Sequence, residues 1–160
     1  MKTIEIQAYE YDELTDEAKY NVRHWLNEGN YYDECYEVVN SLKRHCALFN
    51  IDLENYSLGD YRSNYISTNA RNHSFRYWDK RKVNSILEKM DSLDHYECLL
   101  LEYFSTQYKA NHDVLNAFKD SLDYCIKIYM DTLEYSQSDE YAREMCNCND
   151  YLFNEHGRII

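Results

Sequence analysis

Proline is absent from the 160 residues, and glycine occurs only three times, as Gly29, Gly59 and Gly157. Turn duty therefore falls on asparagine, which tolerates positive φ better than other non-glycine residues. So few glycines leave little from which to build a backbone phosphate cradle. The chain has no P-loop, nucleophile elbow or oxyanion-type glycine turn. No run approaches the roughly 18 apolar residues of a membrane span. The first residues, MKTIEIQAYEYDE, are too acidic and too alternating for a signal peptide. The expectation is a cytoplasmic protein without a membrane partner, its six cysteines reduced.

What the chain does have is acid and tyrosine. Twenty-nine Asp and Glu face seventeen Lys and Arg, a net charge of −12. That balance argues against coating nucleic acid or an anionic membrane with the whole surface, and favours a basic partner or solubility alone. Eighteen tyrosines make up much of the apolar content. Each buried hydroxyl needs a partner, so many rings should sit half-buried at element edges. The length suits one domain, residues 1–160, with a core that needs no staples.

The charge is not evenly spread. Residues 55–90 carry seven basic side chains against three acids; residues 1–54 carry five against twelve, and 91–160 five against fourteen. A basic, Tyr- and Asn-rich island is bracketed by two acidic arms.

Periodicity divides the chain further. Residues 3–11 alternate as a half-buried strand. Thr15 reads as an N-cap, with Asp16 and Glu17 in the first turn and Ala18, Val22, Trp25 and Leu26 as the buried stripe. Gly29-Asn30 reads as a helix stop. A second helix over 31–49 buries Cys35, Val38, Val39, Leu42, Cys46 and Phe49. Residues 56–58 and 65–68 read as two strands of a meander, and 69–77 as loop or edge strand. Helical spacing returns at Val83, Ile86, Leu87 and Met90, then at Leu93, Tyr96, Leu100, Tyr103, Phe104 and Tyr108. The series Leu115, Phe118, Leu122, Cys125, Ile126, Tyr129, Leu133 keeps the 3.6 period over about five turns. Ser138 caps a last short helix, and 151–160 reads as a terminal strand or hairpin. The expected class is α+β: a small, mostly antiparallel sheet from the N-terminal strand, the central meander and the C-terminal strand, packed against several helices.

Catalytic and metal signals are weak. Cys146 and Cys148 with His156 have the wrong spacing for zinc, and His95 with Cys98 at i, i+3 sits among packing residues. Cys35, Cys46 and Cys125 lie on apolar stripes and read as small hydrophobes. No cofactor and no enzymatic activity are expected. In the island, Arg62, Arg71, Arg76, Arg81 and Lys82 interleave with Tyr61, Tyr65, Phe75, Tyr77 and Trp78, the mixture that binds single-stranded nucleic acid. The simpler reading is that these cations neutralise the acidic arms inside one fold. A third is a protein interface built on Tyr61, Arg62, Arg71, Arg76, Trp78 and Arg81, since Arg, Tyr and Trp are enriched at hot spots. The acids Asp12, Glu13, Asp16, Glu17, Asp33, Glu34 and Glu37 cluster in the first arm. Asp131, Glu134, Asp139, Glu140 and Glu144 cluster in the second. They read either as solvated helix surface or as a phosphate-like array offered to a basic, nucleic-acid-handling protein.

The stretch Tyr11-Asp12-Glu13-Leu14-Thr15-Asp16-Glu17-Ala18-Lys19, following an opening strand, resembles small phage and prophage accessory proteins with an N-terminal D-E-L-S/T-D-E-A-K motif. Tyr31-Tyr32-Asp33-Glu34, and the ending from Asn149 to Arg158, are similar to the same group. The likeness covers both ends; the island at Gly59-Asp60-Tyr61-Arg62-Ser63-Asn64 departs from the group's Gly/Ser-rich segment. Some members carry an antitoxin-like label, and the group brings no catalytic residues to carry over. The resemblance implies a phage-encoded inhibitor in the bacterial cytoplasm. Such an inhibitor would block a host nucleic-acid-targeting defence protein, such as a CRISPR nuclease, through acidic and tyrosine-rich surface without binding nucleic acid itself. An antitoxin for a basic toxin, a small metal-binding protein and a nucleic-acid-binding protein are the alternatives.

Overall fold

A computed structural model describes residues 7–59 and 63–160, with the backbone alone described for 29–34. Five α-helices carry it: α1 (Asp16–Leu48), α2 (Lys80–Leu87), α3 (His95–Asn111), α4 (Val114–Ser136) and α5 (Asp139–Cys148). Two strands, β1 (Leu53–Ser57) and β2 (Tyr65–Thr68), form one antiparallel pair. The broad α+β class holds. No helix among the described residues is long and apolar enough to cross a membrane.

The main departure from expectation is α1. Gly29-Asn30 does not stop it; the helix runs 33 residues without a break. A mid-helix glycine costs only about 1 kcal/mol, and packing on both sides outweighs that. What looked like a stop is a change of phase. Ala18, Val22 and Leu26 form one buried stripe, and Cys35, Val38, Leu42 and Cys46 another. Nine residues separate Leu26 from Cys35, which is not a whole number of turns, so the two stripes do not continue one 3.6-residue series. Trp25, placed on the first stripe by its spacing, is instead 43% exposed.

The chain divides into two compact units at that phase change: residues 1–34 with 132–160, and residues 35–131. In the first, Tyr11, Leu14, Ala18, Val22 and Leu26 pack with Ala142, Cys146 and Phe153. Ser138 caps α5 by accepting the Tyr141 N–H. Phe153 makes an antiparallel bridge to Tyr9 on one side and to Ile159 on the other. The turn between Phe153 and Ile159 needs Gly157, whose φ is +74 and whose added Cβ would stand 2.3 Å from the Ala18 carbonyl oxygen.

Among the described residues the expected single sheet is not formed. The central hairpin pairs only with itself, and the terminal segments make isolated bridges. Tyr11–Glu13 turns into a 3-10 helix two residues after Tyr9, which ends any strand there. Of the expected strand over 3–11, residues 3–6 lie outside the described residues.

The second unit is centred on Phe49. Its ring meets Phe104 edge-on at 4.6 Å, Phe118 at 5.0 Å and Trp78 in a stack at 5.4 Å. The segment before Trp78, expected as loop or edge strand, contains a 3-10 turn, Asn72–Phe75, that buries Phe75 against the same cluster. A two-stranded hairpin is marginal alone, and β1–β2 is held at its turn. Gly59 lies against the Tyr129 ring, its N–H donates to Asn64, and the Asn64 amide reaches the Met130 sulfur. At the start of α3, Arg44 pairs with Asp94 and with buried Glu97, while Asp94 and Glu97 close a capping box.

His45 is sealed inside this core. It stacks on Phe118 with its Nε2 2.8 Å from Ser121 Oγ. The Ser121 hydroxyl donates to the Phe118 carbonyl at 2.6 Å, so Nε2 must carry the proton and Nδ1 is left without a partner among the described residues. Burial pushes the ring's pKa down to about 3.

Two expectations follow. Below pH 6.5 the unfolded chain protonates His45 while the folded chain does not, until the pH reaches about 3. The stability is whole above that window and falls within it, by at most about 1.4 kcal/mol per pH unit. Urea midpoints measured across this range should drop more steeply for the native chain than for His45→Phe; parallel slopes would refute the assignment. Gly157→Ala should cost about 3 kcal/mol through its backbone collision. Gly59→Ala, whose Cβ would meet Tyr129 at an ordinary 3.5 Å, should cost about 1–2 kcal/mol from its positive φ alone. Equal losses would show that the close approach at Ala18 is not limiting.

Candidate functional site: an acidic and aromatic surface

The division into units sorts the charge. The first unit holds fifteen acids against five bases, net −10, and the second fourteen against twelve, net −2. The two acidic clusters read from opposite ends of the sequence thus largely share one unit. Asp12 and Glu13 lie in the 3-10 turn that touches α5, where Asp139 and Glu140 occupy the first turn. Asp16 and Glu17 stand in the first turn of α1, with Thr15 Oγ1 accepting the Ala18 N–H. Each helix start is a place where the dipole favours carboxylates.

A small network ties these ends together. Arg143 donates to Asp12 at 2.8 Å and to Asp139 at 3.3 Å. Arg23 donates to Asp139 at 2.5 Å and to the Tyr11 hydroxyl at 3.3 Å. The Tyr11 hydroxyl itself donates to Asp139 at 2.6 Å. Burial of the ring, together with this acceptor, pushes Tyr11 up to about 12. The Tyr11 hydroxyl, followed by the Arg23 charge, holds the Asp139 carboxyl below its usual range despite partial desolvation. Asp12 and Asp139 are therefore committed internally. Glu13 accepts the Glu10 N–H at 2.9 Å, while Asp16, Glu17, Glu134 and Glu140 are exposed and form no ion pair among the described residues.

The remaining acids of the first arm do not join this set. Glu37 and Asp131 are exposed but belong to the second unit. Asp33 and Glu34 lie on the α1 backbone, with side chains outside the described residues. Glu144 accepts from Tyr135 at 2.6 Å.

Sequence spacing gave no sign of the first unit's cleft. Tyr20, His24, Trp25 and Glu28 on α1 face His156, Gly157, Arg158 and Ile159 across an open cleft of about 980 Å³. Tyr20 is 60% exposed, and Trp25 meets Tyr151 edge-on at 5.5 Å. The Asn21 amide donates to the His156 carbonyl at 3.1 Å, fixing the terminal turn as the second wall. The missed signal was Trp25 itself: it sits one position from Leu26 at the border of the stripe. Arg143 was missed too, although its i, i+4 spacing from Asp139 is a standard helix pairing.

The island behaves differently from its simpler reading. Its described cations make no ion pair with any described acid; the ion pairs run instead through Arg23, Arg44, Arg143, His24 and His156. Arg71 donates to the carbonyls of Thr68 and Ala70. Arg76 lies 5.7 Å from the Tyr77 ring centroid. Trp78 is anchored on Phe49, and Arg81 is exposed on α2. Tyr61 and Arg62 lie outside the described residues.

The cysteines are placed as packing residues. Burial raises Cys46 and Cys125 to about 12 and Cys146 to about 11, keeping these thiols protonated. Cys98 donates to the Met90 carbonyl, and neighbouring His95 is exposed.

Asp139→Asn keeps the shape of the network but removes the charge shared by Arg23 and Arg143. Because this carboxylate is 44% exposed, the loss should be about 1 kcal/mol in urea unfolding. In an Arg143→Ala background the loss should shrink; simple additivity would mean that Asp139 and Arg143 do not act as parts of one network.

No protein-family model, no curated protein and no solved structure matches this chain, so its function is argued from its own residues.

Proposed function

We propose that this chain is a non-enzymatic binding protein whose terminal unit docks on a basic, nucleic-acid-handling protein. The observation that carries the reading is the coincidence of two features in that unit. One is a net charge of −10, with Arg23 and Arg143 already engaged by Asp12 and Asp139 and Arg158 set on the cleft wall. The other is an open cleft presenting Tyr20 and Trp25. Exposed carboxylates steer a cationic partner and set its orientation, while aromatic anchors in a cleft supply most of the affinity. Glu13, Asp16, Glu17 and Glu140 give the steering array, and Tyr20 and Trp25 the anchors.

The partner this chemistry fits best is a nuclease, whose own nucleic-acid channel is basic. Together with the resemblance to phage accessory proteins, this supports a counter-defence inhibitor acting on a host nuclease such as a CRISPR effector. A basic toxin would meet the same surface, and the identity of the captured protein separates the two.

Immobilised chain should retain a nuclease from bacterial lysate, and the purified pair should show reduced DNA cleavage. Affinity should fall with added salt. Glu13→Lys, Glu17→Lys and Glu140→Lys together should slow association by about tenfold with little change in dissociation. Trp25→Ala should instead speed dissociation, costing about 2 kcal/mol. Retention of no nuclease, or of one whose cleavage is unaffected, would overturn the reading.

A further inference from the structure

A second surface, on the other unit, has the opposite chemistry. Arg71, Arg76, Lys80, Arg81, Lys82 and Lys89 are all exposed, and none forms an ion pair among the described residues. Of the acids among them, Asp79 is taken up as the α2 N-cap, accepting the Lys82 N–H at 2.9 Å, while Glu88 is exposed beside Lys89. Lys80, Arg81 and Lys82 occupy the first turn of α2, where the helix dipole disfavours cations. Three positive charges placed against the dipole without an ion pair among the described residues cost stability; of the three, Lys82 lies over the Trp78 ring.

Aromatic rings sit among these charges. Tyr77 is 83% exposed, with the Arg76 guanidinium over its ring. Its neighbour Trp78 is fixed from below by the Phe49 stack, interplanar angle 11°, and carries the Lys82 ammonium 4.5 Å from its ring centroid. Phe75, buried against Phe49, pins the other end of the turn. Tyr77 is thus held outward on a rigid base. Beside Trp78 opens a cleft of about 360 Å³ with polar walls from Asn50, Asn69, His73, Ser74 and Lys82.

We propose that this turn binds single-stranded nucleic acid. The cations track the phosphates, Tyr77 stacks on an unpaired base, and the cleft beside Trp78 receives a neighbouring one. Stacking on an exposed ring is sequence-tolerant and requires an unpaired base, which selects a single strand over a duplex. An acidic protein would satisfy the cations but leaves the outward ring and the polar cleft without a role. The proposal does not rest on the acidic unit's function, and the reversal of Glu13, Glu17 and Glu140 should not weaken it.

Fluorescence anisotropy of the full chain with a labelled oligothymidylate of about twelve nucleotides tests it. The expected result is saturable binding at low salt, at least about tenfold weaker for a duplex of the same length. The slope of log K against log salt should be about −2 to −3, from three or four phosphate contacts. Arg76→Ala with Arg81→Ala should flatten that slope. Tyr77→Ala should weaken binding about fivefold or more with the slope unchanged, and Tyr77→Trp should retain it. Tyr77 packs too little for its replacement to unfold the chain, which circular dichroism of the variant checks. Absence of binding, equal affinity for duplex, indifference to Tyr77→Ala, or equal competition by polyglutamate would each overturn the proposal; the last would assign the patch to an acidic protein.

Discussion

Everything in this structure depends on α1 serving two cores with one uninterrupted helix. Its early stripe of Ala18, Val22 and Leu26 closes the terminal unit; its later stripe of Cys35, Val38, Leu42 and Cys46 closes the central one. Each fully buried Val or Leu contributes roughly 1.5–3 kcal/mol, so neither stripe is dispensable. Each stripe also fixes which residues face outward in its half. Tyr20 and Trp25 are outward in the first half because Val22 and Leu26 are inward.

That constraint bears on function because the two units differ in charge and in how they satisfy it. In the terminal unit Arg23 and Arg143 are consumed by Tyr11, Asp12 and Asp139, leaving the first-turn acids of α1 and α5 to solvent. In the central unit Arg44 serves Asp94 and Glu97, and the cations around Trp78 are left over. Each unit thus closes its structural needs with one or two arginines and leaves its excess charge exposed. Surplus charge of one sign on a surface with exposed aromatics is the composition of a contact surface; it is negative across the terminal unit, net −10, and positive only locally around Trp78 in the central unit, whose net is −2.

Much of the architecture was legible from period alone. The stripes of α3 and α4 and the Ser138 cap of α5 lie where the 3.6 spacing put them, because long periodic series average out single exceptions. The two central strands were legible for the same reason over a shorter span. The failures have specific causes. Gly29-Asn30 mimicked a helix end because a phase change and a stop look alike in one dimension. Phe153 pairs with single residues on both sides, and a one-residue bridge leaves no alternation to read. Of the site, the acidic clusters were visible as composition. Their joining through Arg143 and Tyr11 was not, since those contacts span more than a hundred residues of sequence. The cleft was invisible because it needs Gly157 to bring the terminal turn against α1.

The charge argument from sequence also needs refinement. A net charge of −12 argues against coating nucleic acid with the whole surface, but net charge is an average over that surface. A ligand responds to what lies within about a Debye length, roughly 8 Å at physiological ionic strength. Around Trp78 that local set includes Arg76, Lys80, Arg81 and Lys82, with Asp79 taken up as the α2 N-cap. Had these cations been paired with the acidic arms, the average would have described them fairly. Because the described ion pairs run through other residues, the local sign is positive, and the acidic total constrains the range of that field rather than its existence.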